Sequence, residues 1–381
     1  MDIRTMLDWN EIRSLRRYLH AHPELSGKEK ETKKYLMAFL ADRTDLELVD
    51  KGDWFYAHYE PAEQHGKGPV ALRADMDALP VPEAIALPYG STTAGIAHKC
   101  GHDGHSSALA AAALLLRKDA RIHRPVYLIF QSAEETGKGG KSCADFLKEA
   151  GVEEVYAFHN LSGYPENAVM VRDRLTQCAS KGLTVHFIGR KSHAGTPEKG
   201  RNPAHALARL ALYAADLAEQ AGTSTDRTLL LTIIGLNVGG EDFGISPGEG
   251  TFSVTLRADE ESDLLRLENQ LRDRARSLAV RDGLKVSFAE RDPFPATVNT
   301  PRCAERVRKA ACSLGLTLAP MPEPWRPSED FGWYLKACPG AMFYVGNGMD
   351  WPAPHQPDYD FNDNILETAA SLFLRLCEED C

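Results

Sequence analysis

The sequence lacks any surplus of positive charge: 44 Lys and Arg stand against 54 Asp and Glu, for a formal net charge of -10. Nucleic-acid binding rests on clustered cations that displace counterions, and no basic stripe runs along this chain, so a polyanion partner is excluded. No apolar stretch approaches the length of a membrane span, and no membrane partner is expected. Residues 1–17 alternate charged with apolar side chains and show neither an apolar h-region nor a cleavage site. No export signal is therefore expected, and the expected location is cytoplasmic. The eight cysteines have no framework spacing. That suits a reducing compartment, where a cysteine among histidines serves as ligand or catalyst rather than as half of a disulfide. Repeats, low-complexity tracts and long charge blocks are missing as well. What remains is an ordinary globular composition, 43% hydrophobic and 26% charged, in a 381-residue chain long enough for two or three domains of ~100–200 residues.

One stretch stands out from that background. Ala97–His105 reads Ala-His-Lys-Cys-Gly-His-Asp-Gly-His and runs into the apolar segment Ser106–Leu116. Cys100, His102, Asp103 and His105 can each bind a metal or move a proton, and they crowd the point where a loop becomes a helix. A thiolate and a neutral imidazole at this spacing form a borderline-soft pair suited to zinc and the later first-row metals. Asp103 is then expected as the helix N-cap. A single Cys-x-His pair is more often a small buried cysteine beside surface histidines; the remaining chain overturns that reading.

Helices are expected over 8–22, stopping at Pro23, and over 28–41, with Tyr35, Leu36, Phe39 and Leu40 facing inward. Pro69–Arg73 is a short apolar strand that delivers Asp75 and Asp77. Pro125–Gln131 reads as a fully buried strand and delivers Glu134 and Glu135. Glu154–Phe158 delivers His159, and Ala341–Val345 feeds a turn-rich loop holding His355. In open α/β sheets, ligands bind beyond the carboxyl ends of the strands. Composition shifts near Gln177, and residues 182–289 run strand, helix, strand, strand, helix, strand. That order is the split ferredoxin-like unit, one antiparallel sheet with two helices on one face. The expected fold class is α/β. A catalytic domain with a mixed, mainly parallel sheet occupies 1–176 and 292–381, interrupted by an inserted α+β ferredoxin-like domain over 177–291.

Adjacent glutamates are usually solvated surface. Glu134 and Glu135 instead follow a buried strand, where they repel each other unless cations share the site. Their divergent directions let one bind metal while the other faces a water. Residues Thr136–Ser142 (Thr-Gly-Lys-Gly-Gly-Lys-Ser) suggest a phosphate loop, but the first glycine of that pattern would fall on Glu135. Singly, His159 and His355 could be a core and a loop histidine. Together, Cys100, His102, Glu135, His159 and His355 make a ligand set for two metals with Glu134 left as base, an economy used in metal-assisted hydrolysis.

In their order along the chain these residues resemble the aminoacylase/carboxypeptidase metallopeptidases. The motifs that carry the resemblance are Arg17–Glu24 (Arg-Tyr-Leu-His-Ala-His-Pro-Glu), Arg73–Asp77 (Arg-Ala-Asp-Met-Asp), Cys100–His105 and the Glu134-Glu135 doublet. Ser192-His193-Ala194, Ser328–Phe331 (Ser-Glu-Asp-Phe) and the His355 loop complete them. The resemblance covers nearly the whole chain. Cys100, where other branches carry aspartate, narrows it to the amidohydrolase branch of hippurate hydrolases, N-acyl-amino-acid amidohydrolases and auxin-conjugate hydrolases.

The resemblance implies a zinc-peptidase-like catalytic domain with two divalent metal ions per subunit, of zinc, manganese, cobalt or nickel. It implies that the Cys100 thiolate bridges them, with Glu135 and His355 toward one metal and His102 and His159 toward the other. It makes the inserted domain a lid that pairs with its twin in a homodimer, and His193 a group that reaches the partner subunit's active site. Arg257 matches a family arginine able to grip a substrate carboxylate bidentately. Gly244 departs from the pattern, standing where many relatives carry an asparagine for that carboxylate. Asp75 is expected to orient the site, with Glu329 as a further candidate. The implied activity is hydrolysis of the amide bond of N-acyl amino acids or short dipeptide-like substrates by a metal-activated water, with Glu134 as general base. Two rivals are a metal-independent cysteine hydrolase using Cys100 and a catalytically silent metal-binding protein on the same fold. The first leaves both glutamates and His355 without a task; the second needs a broken site, which the sequence does not show.

Overall fold

The computed structural model describes residues 6–222 and 227–378. The chain divides into two compact units. The first comprises Met1–Thr176, Thr297–Pro324 and Glu329–Cys381, and the second Gln177–Ala296 with Trp325–Ser328. The chain opens with α1 (Trp9–Ala21), α2 (Lys30–Arg43), β1 (Glu47–Asp50), β2 (Phe55–Tyr59), β3 (Val70–Asp75) and α3 (His102–Leu116). It continues through β4 (Val126–Gln131), α4 (Gly140–Glu149), β5 (Glu154–Ser162), β6 (Val169–Met170) and β7 (Arg174–Gln177). Then come β8 (Ala179–Ile188), β9 (Ser192–His193), α5 (Ala204–Gly222), β10 (Leu229–Val238), β11 (Ile245–Ser246), β12 (Glu249–Ala258), α6 (Glu261–Asp282) and β13 (Lys285–Phe294). The chain closes with β14 (Thr297–Asn299), α7 (Pro301–Ser313), α8 (Gly332–Ala337), β15 (Gly340–Gly348) and α9 (Leu366–Cys377).

The first unit is built on a seven-stranded sheet in the order β1-β2-β4-β3-β5-β15-β6. Its centre, β4-β3-β5-β15, is parallel, and β1, β2 and β6 join antiparallel at the edges. The mixed, mainly parallel sheet is the one expected. Every residue of β3 is buried, as a strand covered on both faces requires. In α3 every residue except Leu114 is buried. A helix apolar on all sides has no solvent face, and the run Ala110–Ala113 lets β3, α1 and α9 approach it closely. Each fully buried leucine of this helix, such as Leu109 or Leu115, contributes roughly 1.5–3 kcal/mol.

Two local expectations are corrected. Asp103 is not the N-cap of α3: the helix begins at His102, with Gly101 in the left-handed region (φ 106°) as its cap. The Asp103 carboxylate instead meets Arg16 Nε at 3.0 Å and His20 Nδ1 at 2.8 Å, because a fully buried guanidinium needs a buried countercharge. Likewise His159 does not follow its strand but lies inside it, since β5 runs on to Ser162 in register with β15.

In the second unit β8, β10, β12 and β13 form an antiparallel sheet in the order β10-β12-β8-β13. Burial alternates strictly along β12, the mark of a sheet with one covered face. Phe252, Val254 and Leu256 from that face pack under α5 and α6, whose Leu207, Leu210, Leu267 and Leu271 are buried. β13 continues to Phe294, so this unit runs to Ala296 rather than to the expected 291. Residues Trp325–Ser328, in the segment between α7 and α8, also belong to it, held by a bridge from Gln177 to Trp325 and by Arg257 Nη1, which donates to the Arg326 carbonyl at 3.2 Å. Among the described residues no helix is long and apolar enough to cross a membrane.

Candidate metal centre

Because β4, β3, β5 and β15 are adjacent and parallel, the chain leaving them emerges along one edge of the sheet. β3 leads to Asp75 and Asp77, β4 to Glu134 and Glu135, and β15 to the loop holding His355, while β5 carries His159. α3 starts at the same edge with Cys100 and His102. The turn from β4 into the doublet passes through Ala133 at φ 54°, and His355 itself has φ 69°. Non-glycine residues held there cost of order 1–3 kcal/mol. Both are secured by main-chain bonds: Ala133 N–H donates to Glu29 Oε1 at 2.7 Å, and His355 N–H to the Lys99 carbonyl at 2.6 Å.

The ligand atoms of Cys100, His102 and His159 lie within 4.8 Å of one another, and so do those of Cys100, Glu135 and His355. The two triads share the Cys100 sulfur. Sγ is 3.3 Å from His159 Nε2. His159 Nδ1–H donates to the Asn160 carbonyl at 2.7 Å, and since a carbonyl can only accept, Nε2 holds the lone pair that faces the thiol. His102 Nδ1 lies 3.1 Å from Asp77 Oδ1, so its Nε2 likewise points into the centre. Glu135 Oε1 is 3.4 Å from His355 Nε2. Glu134, His102 and Glu135 form a further close group. Glu134 Oε1 accepts the Asp330 N–H at 3.4 Å, which leaves Oε2 toward the centre, 3.9 Å from His102 Nε2.

The charges in this cluster are unbalanced. Burial, then Glu329, Glu135 and Asp330 hold Glu134 well above the usual carboxylate range. Hydrogen bonds to Cys100 and Glu135 push His355 up to about 11. Although burial opposes it, Asp75, Cys100 and Asp77 raise His102 well above an ordinary histidine, whereas burial and then His105 hold His159 well below one. His102, His355 and Glu134 thus favour their protonated forms beside buried carboxylates, where divalent cations would supply the positive charge. Two orphaned atoms point the same way. His102 Nε2 is buried without a hydrogen bond, 3.8 Å from both Asp75 Oδ2 and Glu135 Oε1, and Glu135 Oε1 has no well-directed bond either. A nitrogen ringed by carboxylate oxygens just beyond hydrogen-bond reach fits a cation between them, and the thiolate, imidazole and carboxylate donors fit zinc or a later first-row metal.

Asp75 is fully buried, with Oδ1 2.7 Å from His105 Nδ1 and Oδ2 taking Arg73 Nη1 at 2.7 Å. Arg73 is itself buried and also meets Glu329 at 3.0 Å and Asp330 at 2.9 Å. Glu329 is therefore tied to the buried guanidinium beside the centre. Asp77, not singled out for a role in the sequence, binds nearer the ligands: Oδ1 faces His102, while Oδ2 accepts Glu135 N–H at 2.9 Å and Ser26 Oγ–H at 2.6 Å. The signal was present in Asp-Met-Asp, because alternate residues of an extended segment share a side. The rejected phosphate loop has its helix start occupied from within: Gly140 N–H, at the beginning of α4, donates to Asp330 Oδ2 at 2.7 Å.

His193 and Arg257 belong to the second unit. His193 is exposed in the short β9–β11 pairing, where Gly195 N–H donates to its Nδ1 at 3.0 Å and leaves Nε2 as the donor. Gly244 lies beside it, its carbonyl accepting Ala194 N–H at 2.9 Å. Arg257 Nη1 donates to Ser328 Oγ at 2.7 Å, and no carboxylate among the described residues pairs with it.

The profile of Peptidase family M20/M25/M40 matches residues 71–379. An uncharacterised hydrolase of Staphylococcus aureus (strain USA300) is 30% identical over 380 residues, spanning 95% of this chain and 96% of its own. An N-acetyl-L-cysteine deacetylase of Bacillus subtilis (strain 168) is 28% identical over 371 residues, spanning 96% of this chain and 86% of its own. Among solved structures, a dinuclear metal-binding peptidase of Bacillus subtilis shares the fold with a TM-score of 0.78, 24% identity and 97% of each chain covered. The chain belongs to Peptidase family M20/M25/M40, as a metal-dependent hydrolase of amide or peptide-like bonds.

Proposed function

We propose that this protein is a dinuclear amidohydrolase that splits N-acyl amino acids or short dipeptide-like amides. The observation that carries the reading is the pair of ligand triads sharing the Cys100 sulfur. Glu135 and His355 would hold one divalent ion, His102 and His159 the other, and the Cys100 thiolate both. When bound, the ions supply Lewis acidity toward the substrate carbonyl and acidify the attacking water.

The remaining work falls to the chain. Glu134 Oε2, facing the centre, takes a proton from the water as its oxygen bonds the acyl carbon, and returns that proton to the amine nitrogen as the C–N bond breaks. Asp77, with Asp75 and Glu329 behind it, keeps the ligands oriented. Arg257, half-buried and with no carboxylate partner among the described residues, suits the substrate carboxylate, and the deacetylase relative fits an acylated amino acid as substrate. Gly244 offers that carboxylate no side-chain contact.

The four-stranded unit is read as a ferredoxin-like lid and dimerisation module. Its edge strand β10 exposes Ile233, Ile234 and Leu236, and nearby Phe243 is 95% exposed. An apolar, unpaired edge invites pairing with its twin. Such a homodimer would carry His193 Nε2–H to the oxyanion forming in the partner subunit's site.

The 3.3 Å contact of Cys100 with His159 favours a second reading, a cysteine hydrolase whose thiol is deprotonated by that imidazole. Metal analysis separates the two. The dinuclear reading expects about two divalent ions per chain, loss of activity on chelation, and lower metal content in Cys100→Ser. Full activity in metal-stripped protein, abolished by iodoacetamide, would establish the cysteine hydrolase instead.

A further inference from the structure

Four of the five proposed ligands ride on three segments: Cys100 and His102 on one, His159 on β5, and His355 on the loop after β15. A single carboxamide, that of Asn160, lies where the three meet. Its main-chain carbonyl takes His159 Nδ1–H at 2.7 Å. Its side-chain NH2 donates to Tyr359 Oη, in the His355 loop, at 2.7 Å, and its oxygen lies 2.7 Å from His105 Nε2 on α3. Gly101, between Cys100 and His102, rests directly on the same group: a Cβ there would fall 2.2 Å from Asn160 Oδ1 and 2.8 Å from Tyr359 Oη. Lys99 closes the ring, its carbonyl accepting His355 N–H at 2.6 Å and its ammonium donating to the Tyr359 carbonyl at 2.7 Å. Asn160, Tyr359, His105 and Lys99 are all fully buried, so the bonds that the carboxamide itself makes to Tyr359 and His105 lie in a water-poor interior, where losing one is most costly.

We propose that Asn160, acting through Tyr359 and Gly101, is the positioning residue that sets the spacing between the Cys100–His102 loop, β5 and the His355 loop. It holds the metal-binding geometry without touching a metal, and the inference rests on the dinuclear reading above. β5 fixes the Asn160 main chain to the sheet. The rigid amide plane then transmits that position to Gly101, which lies in the left-handed region (φ 106°) and packs against the carboxamide with no side chain between them. The carboxamide is thus a spacer, and shortening it lets two ligand segments drift relative to the third.

The test is titration of metal-stripped protein with zinc in competition with a chelator, alongside thermal unfolding of the same stripped protein. Asn160→Ala is expected to raise the zinc Kd about 10- to 100-fold, the usual range for groups that orient ligands. Asn160→Asp, which keeps length and planarity, is expected to retain most of the affinity. Tyr359→Phe, which keeps the ring and removes one hydrogen bond, is expected to fall between them and decides the matter if the alanine variant does not fold. Zinc affinity unchanged in Asn160→Ala, or in Tyr359→Phe where the alanine variant is unfolded, overturns the proposal. So does lower apo stability with unchanged affinity, since that is the mark of a merely structural residue. If the wild-type protein binds none of zinc, manganese, cobalt and nickel, the dinuclear reading fails first; wild-type binding with indifferent variants sinks the positioning role alone.

Discussion

Replacing Asp77 by Asn changes one atom and tests the core of the centre. The carboxylate serves three donors: Ser26 Oγ–H at 2.6 Å, Glu135 N–H at 2.9 Å and His102 Nδ1–H at 3.1 Å. An amide has one oxygen, so its NH2 must confront one side. If the oxygen stays on His102, the part-buried Glu135 N–H loses its acceptor, at a cost of about 1–3 kcal/mol. If the oxygen turns to Glu135, the new NH2 faces His102 Nδ1. The imidazole must then move its proton to Nε2 and no longer offers a lone pair to the centre. Either arrangement disturbs one ligand of the proposed set while leaving volume and shape intact. The expected result is a zinc Kd raised about 10- to 100-fold, ~1.4–2.7 kcal/mol, measured by chelator competition on stripped protein. Thermal unfolding of the apo form controls for loss of fold. A stably folded Asp77→Asn protein whose affinity lies within about threefold of wild type would refute the orienting role.

The neighbouring glutamates should separate cleanly: Glu134→Gln is expected to keep its metals and lose ~10²- to 10⁴-fold in kcat, whereas Glu135→Gln loses metal as well. A Glu134→Gln enzyme with near wild-type turnover would show that another group is the base. His193→Ala should be nearly inactive with metals intact, and subunit exchange with Glu134→Gln should restore up to about a quarter of wild-type sites, because each heterodimer leaves one site free of both lesions. Heterodimers verified by native mass spectrometry that stay inactive would exclude a trans role. A further expectation concerns acid stability. Although burial opposes it, hydrogen bonds from His20 and Lys99 hold Glu83 down to about 2, against an ordinary 4.5. Its contribution is therefore fully present above about pH 4.5 and is lost as pH falls toward 2. Urea unfolding of stripped Glu83→Gln should show a deficit at pH 7 that shrinks over that window, and a deficit constant with pH would contradict the assignment.

The sequence by itself determined what local pattern can encode. Buried strands read as short apolar runs, and α3 as an apolar segment behind a Cys-x-His motif. The chemistry-bearing residues were legible for the same reason: a thiol, imidazoles and carboxylates are conspicuous where a strand or loop ends. Tertiary structure alone decided how they meet. Cys100 reaches His159 across 59 residues of sequence, and Arg73 reaches Asp330 across 257, separations on which no periodicity bears. Asp103 could be read as a helix cap because capping is local, yet a buried Arg16 claimed it. Asp77, Arg73 and Asn160 acquire their partners only when parallel strands bring distant chain ends to one edge, for a side chain's role is set by what it faces, and that is decided by packing.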